Sequence, residues 1–366
     1  MRSLDSSYIS KKVAQMQSLS SYSSQTTSEA IENQDSLLRL DSNENLLLPE
    51  AFINRILGEA IAMVDPRRYH SDSVQRLSES LADYLNVEQE EIVIGAGGDG
   101  IIDLVAGPLM NPNDSAMVIE PTFLMFQKCL NVHGRGTRTV YLQNDFSLCV
   151  EEIQEQLFGT NEVVFLCSPN NPTGNQFPRD DVRAIVESTE GLVVLDEAYT
   201  EFAPESLLKM VYKYDNLLVL RTFSKAFGLA GMRVGYAVTG RNLAQAIQKH
   251  VILPYPVATL STAVAFLMLN EIDEIQRAVS VAQQVRERLS NSLEKISGVT
   301  VYTSDANFVL IQIPMESTNA AQMLQATGIK VRIIDWMHVS GNFLRITVPP
   351  EQELDRVIDS FKEVLG

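Results

Sequence analysis

From about residue 74 onward the chain alternates between two kinds of hydrophobic pattern. Val74, Leu77, Leu81 and Leu85 recur at helical spacing, the strand-like EIVIG follows, and the helix-like IIDLVAGPLM comes next. Together they predict a βα unit. Further short apolar runs follow at AMVIE, TRTVYL, EVVFLC, LVVLDE and LLVLRTF, mostly ending in polar or turn residues, as strands buried on both faces do. The expectation is an α/β sheet with helices on both faces. Between about 271 and 297, Ile272, Ile275, Val279, Val285, Leu289, Leu293 and Ile296 mark a long amphipathic helix leaving that unit. Beyond it, VTVYTS, FVLIQI, IKVRII and FLRITV read as strands, and Leu354, Val357, Ile358, Phe361 and Leu365 as a closing helix, so a smaller α+β unit is expected.

Residues 1 to about 36 break the pattern. Rich in Ser, Gln and Thr, they read as an arm without a core. At 366 residues the chain exceeds the usual size of one core, in keeping with two domains. Its 45% hydrophobic and 20% charged residues are ordinary for a globular protein. The net charge of -17 argues against a nucleic-acid or anionic-membrane surface, so any phosphate site must be built locally. Cys129, Cys149 and Cys167 show no paired spacing and read as free thiols. His70, His133, His250 and His338 lack ligand spacing, and no metal site is expected. The N-terminus lacks the apolar core of a signal peptide and no run reaches the roughly 20 apolar residues of a membrane span. A cytoplasmic protein is expected.

Four segments carry candidate chemistry. Gly95, Gly97 and Gly100 spell G-x-G-x-x-G between a strand and a helix, with Glu120 ending the next strand. On its own this would fit an NAD-dependent dehydrogenase, but glycines at a helix N-terminus specify an anion more firmly than a dinucleotide. SPNNPTG, from Ser168 to Gly174, marks a tight turn at a strand end. Asp196 follows GLVVL, where a buried carboxylate needs a cation or strong hydrogen bonds; structural pairing is the plainer alternative to a ligand role. In RTFSKAFGLAGMRVGY, Thr222 and Ser224 flank Lys225, and Arg233 lies eight residues past the lysine. Hydroxyls and a guanidinium suit phosphate, and a desolvated lysine is a nucleophile; an isolated lysine is more often a solvated surface charge.

In order and spacing, NPTG, D-E-A-Y and S-K-A-F-G-L-A-G-x-R resemble the fold-type I, class II aminotransferases, specifically the histidinol-phosphate aminotransferase subgroup. The likeness runs from about Leu40 to the C-terminus. It implies pyridoxal 5'-phosphate (PLP) held as a Schiff base on Lys225, which also shuttles the substrate Cα proton. Asp196 would pair with the pyridinium nitrogen, and Asn171 and Tyr199 with the ring 3'-oxygen. Thr222, Ser224, Arg233 and the backbone N–H groups of Gly98 and Asp99 would hold the cofactor phosphate, and Phe123 would stack on the ring. Tyr69 would reach the neighbouring subunit's cofactor phosphate, implying a homodimer with shared sites. Arg345 and Arg332, thirteen residues apart, would take the substrate phosphate, with Asn43 and Glu44 in the substrate-side loop.

The fold so implied is a large, mostly parallel seven-stranded sheet domain with helices on both faces plus a smaller α+β domain. The expected boundaries are an arm over 1–40, a large domain over 70–256, and a small domain from 41–69 with 257–366. The implied reaction converts L-histidinol phosphate and 2-oxoglutarate to imidazole-acetol phosphate and L-glutamate, in histidine biosynthesis. An aromatic amino-acid aminotransferase and a threonine-phosphate decarboxylase are the alternatives within the fold. Two departures stand out. Leu46, Leu47 and Leu48 replace the Pro-aromatic continuation of N-E-N, and Gly97, Gly98, Asp99 and Gly100 replace Gly-Ala-Asp-Glu.

Overall fold

The central apolar runs pair into one sheet and the C-terminal ones into another. The computed structural model describes residues 8–19, 37–69, 71–335 and 337–366. Along the chain β1 is Leu38–Leu40, β2 Ile92–Gly95, β3 Ser115–Glu120, β4 Gly136–Tyr141, β5 Val163–Cys167 and β6 Val193–Asp196. There follow β7 Leu217–Thr222, β8 Gly235–Thr239, β9 Thr300–Val301, β10 Phe308–Ile313, β11 Ile329–Ile334 and β12 Asn342–Thr347. The seven-stranded sheet runs β2-β8-β7-β6-β5-β3-β4, and only β8 is antiparallel to its neighbours. The five-stranded sheet runs β1-β11-β12-β10-β9, antiparallel except for β1 on β11.

Alternation along the strands explains why their sequences read as continuous apolar runs. Val163 and Phe165 of β5 pack on one face with Ile101, Val105, Phe126 and Ile247, whereas Val164 and Leu166 pack on the other with Met117, Leu195 and Val219. Both faces are covered, so neither set of positions can be polar. Each such side chain contributes about 1.5–3 kcal/mol by burial. The long helix Ile272–Leu293 buries Ile275, Val279, Val285, Leu289 and Leu293 on one stripe, as its spacing predicts.

The structure differs from the sequence reading at several edges. β8 was not among the expected runs: it is short, begins on Gly235 and follows the lysine segment without a break in composition. The helix after β2 begins at Gly97 and ends at Ala106, ahead of Gly107 and Pro108. Leu38–Leu40, left in the arm by its brevity, is an edge strand of the smaller sheet. Within the described part of the arm, Tyr8–Gln17 is helical with no buried residue; residues 1–7 and 20–36 lie outside the described residues.

One glycine fixes how the large sheet meets the turn after β2. Gly235 of β8 pairs with Gly95, and a Cβ placed on it would stand 2.4 Å from the Gly97 carbonyl carbon and 2.6 Å from the Gly98 nitrogen. Those atoms are backbone and cannot rotate away. Gly235→Ala is therefore expected to cost about 1–3 kcal/mol, the usual range for overpacking. Gly231→Ala, whose Cβ would meet nothing within 4 Å, should leave the urea midpoint nearly unchanged; equal midpoints for the two variants would refute this account.

Candidate active site

The carboxyl ends of parallel strands are where an open α/β sheet leaves a crevice. Here the ends of β5, β6 and β7 (Cys167, Asp196 and Thr222) open into a cavity of about 290 Å3 whose opposite wall comes from the smaller sheet. Every residue to which the resemblance assigns a role in the site lines it except Tyr69.

Lys225 sits in the turn after β7, which is closed by hydrogen bonds from Gly228 N–H to Lys225 O (3.0 Å) and from Leu229 N–H to Phe223 O (2.9 Å). Its Nζ donates to Ser42 O at 3.1 Å and Asn43 O at 3.2 Å, and lies 5.4 Å from the Tyr199 ring centroid. Burial, then the nearby charge of Arg345, pulls its pKa down to about 8. Asn43 is a hub. With a positive φ of 55°, it donates from Nδ2 to Tyr199 Oη (3.1 Å) and from its backbone to Thr347 Oγ1 (2.9 Å).

Asp196 ends β6 and is 3% exposed. Its Oδ1 accepts the Ala198 N–H at 2.9 Å, and among the described residues no cationic nitrogen pairs with it within 4.0 Å. Burial dominates its titration and pushes its pKa up to about 7, while Lys225 pulls the other way through space. Tyr199 is buried, edge-on to Phe308 at 5.2 Å. Asn171 is buried beside it and its Oδ1 accepts Arg345 Nη1 at 2.5 Å.

A second group of side chains surrounds the start of the helix Gly97–Ala106. Its N-cap, Ala96, offers no side-chain acceptor to the first N–H groups. Around that end lie Thr222, whose Oγ1 bonds Ser224 Oγ at 3.0 Å, and Arg233, whose Nη2 meets Asp99 Oδ2 at 2.7 Å. Gly97 has φ +76°, and a Cβ there would sit 2.8 Å from Arg233 Nη2. Glycine at this place is thus a condition for Arg233 to reach the helix end. Glu120, the acid a dinucleotide site would use, does not line the cavity; it accepts the side-chain amide of Gln127 instead.

On the opposite wall, Arg332 of β11 and Arg345 of β12 are register partners across an antiparallel pair, and both line the cavity. Arg345 is 7% exposed and also donates to Asp41 O at 2.7 Å. The sequence reading missed Arg39, Asp41 and Lys330, which join this wall. Arg39 and Asp41 lie in and just after a strand of three residues, too short to show alternation, whereas Lys330 lies on the expected strand IKVRII, two residues before Arg332. The leucines that replace the expected aromatic do not line the cavity. Leu48 packs where a Cβ on Gly228 would be 2.7 Å from it, and Asn45 Nδ2 donates to Ala226 O at 2.8 Å. The loop therefore buttresses the turn that carries Lys225.

Tyr69 is 83% exposed and stacks on Tyr255 with centroids 4.7 Å apart. His133 bonds Asp103 at 2.8 Å and the His338 ring lies tilted against Tyr141, while His70 lies outside the described residues. Cys129 and Cys167 are buried and Cys149 is half-buried, all as free thiols. Among the described residues no helix is long and apolar enough to cross a membrane, and no three His, Cys, Asp or Glu cluster as a metal site.

The doubly covered, mostly parallel sheet, with a lysine and a buried carboxylate at its strand ends and a second sheet closing the cavity, defines a fold-type I transferase. Residues 35–361 match the model of the family "Aminotransferase class I and II", and the chain belongs to that family. Among its relatives, it is 34% identical over 329 residues to a histidinol-phosphate aminotransferase of Ruminiclostridium cellulolyticum, covering 88% of this chain and 91% of that protein. It is 35% identical to histidinol-phosphate aminotransferase 2 of Archaeoglobus fulgidus, covering 90% and 93%. A solved structure of histidinol-phosphate aminotransferase from Sinorhizobium meliloti, in complex with pyridoxal-5'-phosphate, superimposes with a TM-score of 0.80 at 25% identity over 90% of each chain.

The environment of Lys225 makes a direct prediction. With a pKa near 8, about a tenth of the molecules carry the free amine at pH 7. Carbamylation of Lys225 by cyanate in cofactor-free protein, followed by peptide mass spectrometry, should be half-maximal near pH 8 and level off above it. A rate still climbing toward pH 10.5, as for a solvated lysine, would show that burial does not govern this amine.

Proposed function

We propose that this protein is a PLP-dependent aminotransferase converting L-histidinol phosphate and 2-oxoglutarate to imidazole-acetol phosphate and L-glutamate, in histidine biosynthesis. The observation that carries the reading is the convergence in one cavity of a lysine with a lowered pKa, a buried carboxylate with no ion-pair partner among the described residues, and a paired-arginine wall. The family and the names of the relatives support it.

The residues present fit PLP. Among the described residues Asp196 has no cationic nitrogen within 4.0 Å, and a protonated pyridine nitrogen would supply one. The uncapped helix start at Gly98 and Asp99, with Thr222, Ser224 and Arg233, suits the cofactor phosphate. Asn171 and Tyr199 would bond the ring oxygen and Phe123 would cover the ring face. When bound, the cofactor supplies an electron sink for charge developing at the substrate Cα.

The chain's own residues do the rest. Lys225 Nζ, uncharged above about pH 8, is the base for the substrate Cα proton. Ser42 and Asn43 carbonyls hold that nitrogen in the cavity. Arg345 and Arg332 orient the substrate by its anionic end, and Asn43 fixes Tyr199 from the other side. The same cavity serves phosphorylated amine and dicarboxylate in turn, because the amino group is stored between half-reactions.

The working form would be a cytoplasmic homodimer. Tyr69, Leu253 and Ile61 are exposed at 83%, 77% and 63%, and Tyr69 does not line its own cavity, as expected of a residue completing the neighbour's site. We assign residues 70–256 to the large domain, and 41–69 with 257–366 to the small one, with β1 completing the smaller sheet.

Two outcomes test the assignment. Purified protein should show a visible band that histidinol phosphate without a keto acid bleaches and phenylalanine scarcely does, and Lys225→Ala should lack the band. A band indifferent to histidinol phosphate would remove the substrate and leave the cofactor. Arg332→Ala should raise KM for histidinol phosphate about 10- to 100-fold, the loss of a charged hydrogen bond; an equal loss for phenylalanine would remove Arg332 from phosphate recognition.

A further inference from the structure

The wall that faces Lys225 carries more positive charge than the arginine pair alone supplies. Arg39 of β1 is the register partner of Lys330 of β11, and Arg332, two residues further along β11, is the register partner of Arg345 on β12. Residues two apart on a strand share a face, and all four cations line the cavity. Asp41 is the acid bound to the first pair, 3.6 Å from Arg39 Nε and 3.5 Å from Lys330 Nζ. Lys330 and Asp41 are largely buried, at 20% and 10% side-chain exposure, whereas Arg39 is 47% exposed. A largely buried lysine at a ligand cavity, held by an even more buried carboxylate, is placed by the fold and not by chance on the surface.

We propose that Lys330, positioned by Asp41, is a specificity residue that favours a phosphate dianion over a carboxylate in this cavity; the inference rests on the substrate reading above and extends it. The two substrates differ most at this end. A phosphomonoester carries nearly two charges at neutral pH and three acceptor oxygens, whereas the distal group of glutamate carries one charge and two oxygens. Arg345 already donates to Asn171 and Asp41 O, so part of its bonding capacity is spent on the protein. Arg332 and Arg345 suffice for a carboxylate in fork geometry. A third phosphate oxygen calls for a further donor, and Lys330 is a compact one that can turn from Asp41 to the ligand. Asp41 would meanwhile hold the lysine in place when the smaller anion occupies the cavity.

The test uses the PLP-loaded enzyme, in which the cofactor's own phosphate site is filled. Inorganic phosphate is titrated as a competitor of the glutamate half-reaction, followed by the visible band, for wild type, Lys330→Gln and Lys330→Arg. The expected result is a phosphate inhibition constant about tenfold weaker in Lys330→Gln, with glutamate affinity changed much less, and recovery of most of the loss in Lys330→Arg. Three results would overturn it: no inhibition of wild type by phosphate, the same inhibition constant in Lys330→Gln, or an equal loss for phosphate and glutamate. Histidinol phosphate turnover by wild type is scored separately. Its absence would sink the substrate reading, while the phosphate titration would still decide the role of Lys330.

Discussion

The buried pair Glu197–Arg221 is the constraint on which the arrangement of the cavity depends. Asp196 and Glu197 are consecutive at the end of β6, so their side chains leave on opposite sides: the first enters the cavity and the second goes behind it. There Glu197 Oε2 accepts both Arg221 Nε (3.1 Å) and Nη2 (2.8 Å), from the residue next to Thr222 on β7. Ser206 Oγ and the Leu207 N–H complete its shell at 2.9 and 2.5 Å. The ion pair thereby locks the end that carries Asp196 to the end that leads into Lys225. Leaving either partner alone in such a place typically costs about 3–5 kcal/mol, so the two strand ends cannot drift apart cheaply. Arg221 also lies 3.7 Å from Glu201, whose pKa burial pushes up to about 7 against the pull of that arginine.

The charge distribution follows from the same economy of buried groups. The chain as a whole carries -17, yet the wall formed by β1, β11 and β12 presents Arg39, Lys330, Arg332 and Arg345 to the cavity. Neighbouring strands place those cations side by side, where repulsion opposes folding unless acids or hydrogen bonds answer them. Asp41 answers two of them, and Asn171 with the Asp41 carbonyl answers Arg345. A ligand anion entering this wall replaces some of those internal partners, so its binding is an exchange of partners, not a simple gain.

The parts of this architecture legible in the sequence were those with a local signature. Strands buried on both faces, such as β5 and β7, announce themselves as unbroken apolar runs, and the long helix by its stripe. Lys225, Asp196 and Asn171 each follow such a run, and the spacing of their motifs was enough to group them. What stayed hidden depends on register. β8 is a short antiparallel strand that begins on glycine, and β1 is three residues long, so neither periodicity nor length marks it. Arg39, Asp41 and Lys330 are ordinary charges in the sequence, the lysine far along the chain from the other two, and only the pairing of β1 with β11 brings them together. The leucines after Asn45 are a similar case. In the sequence they are a missing aromatic; in the fold they support the turn of Lys225.

The backbone carbonyls of Ser42 and Asn43 tie these two walls into one device. The segment that leaves β1 carries Asp41 toward the cationic wall, then bends at Asn43 in a left-handed conformation and offers two carbonyls to Lys225. Asn43 is further held by Thr347 of β12 and Asn307, so the bend is fixed by the smaller sheet while the lysine belongs to the larger one. The Lys225 nitrogen is thus tied through one segment to the strands of the smaller sheet. Burial and the Arg345 charge on one side, and the acids Glu44, Asp99 and Asp196 on the other, set the pKa of Lys225 at about 8, so the walls of both sheets act on the same nitrogen.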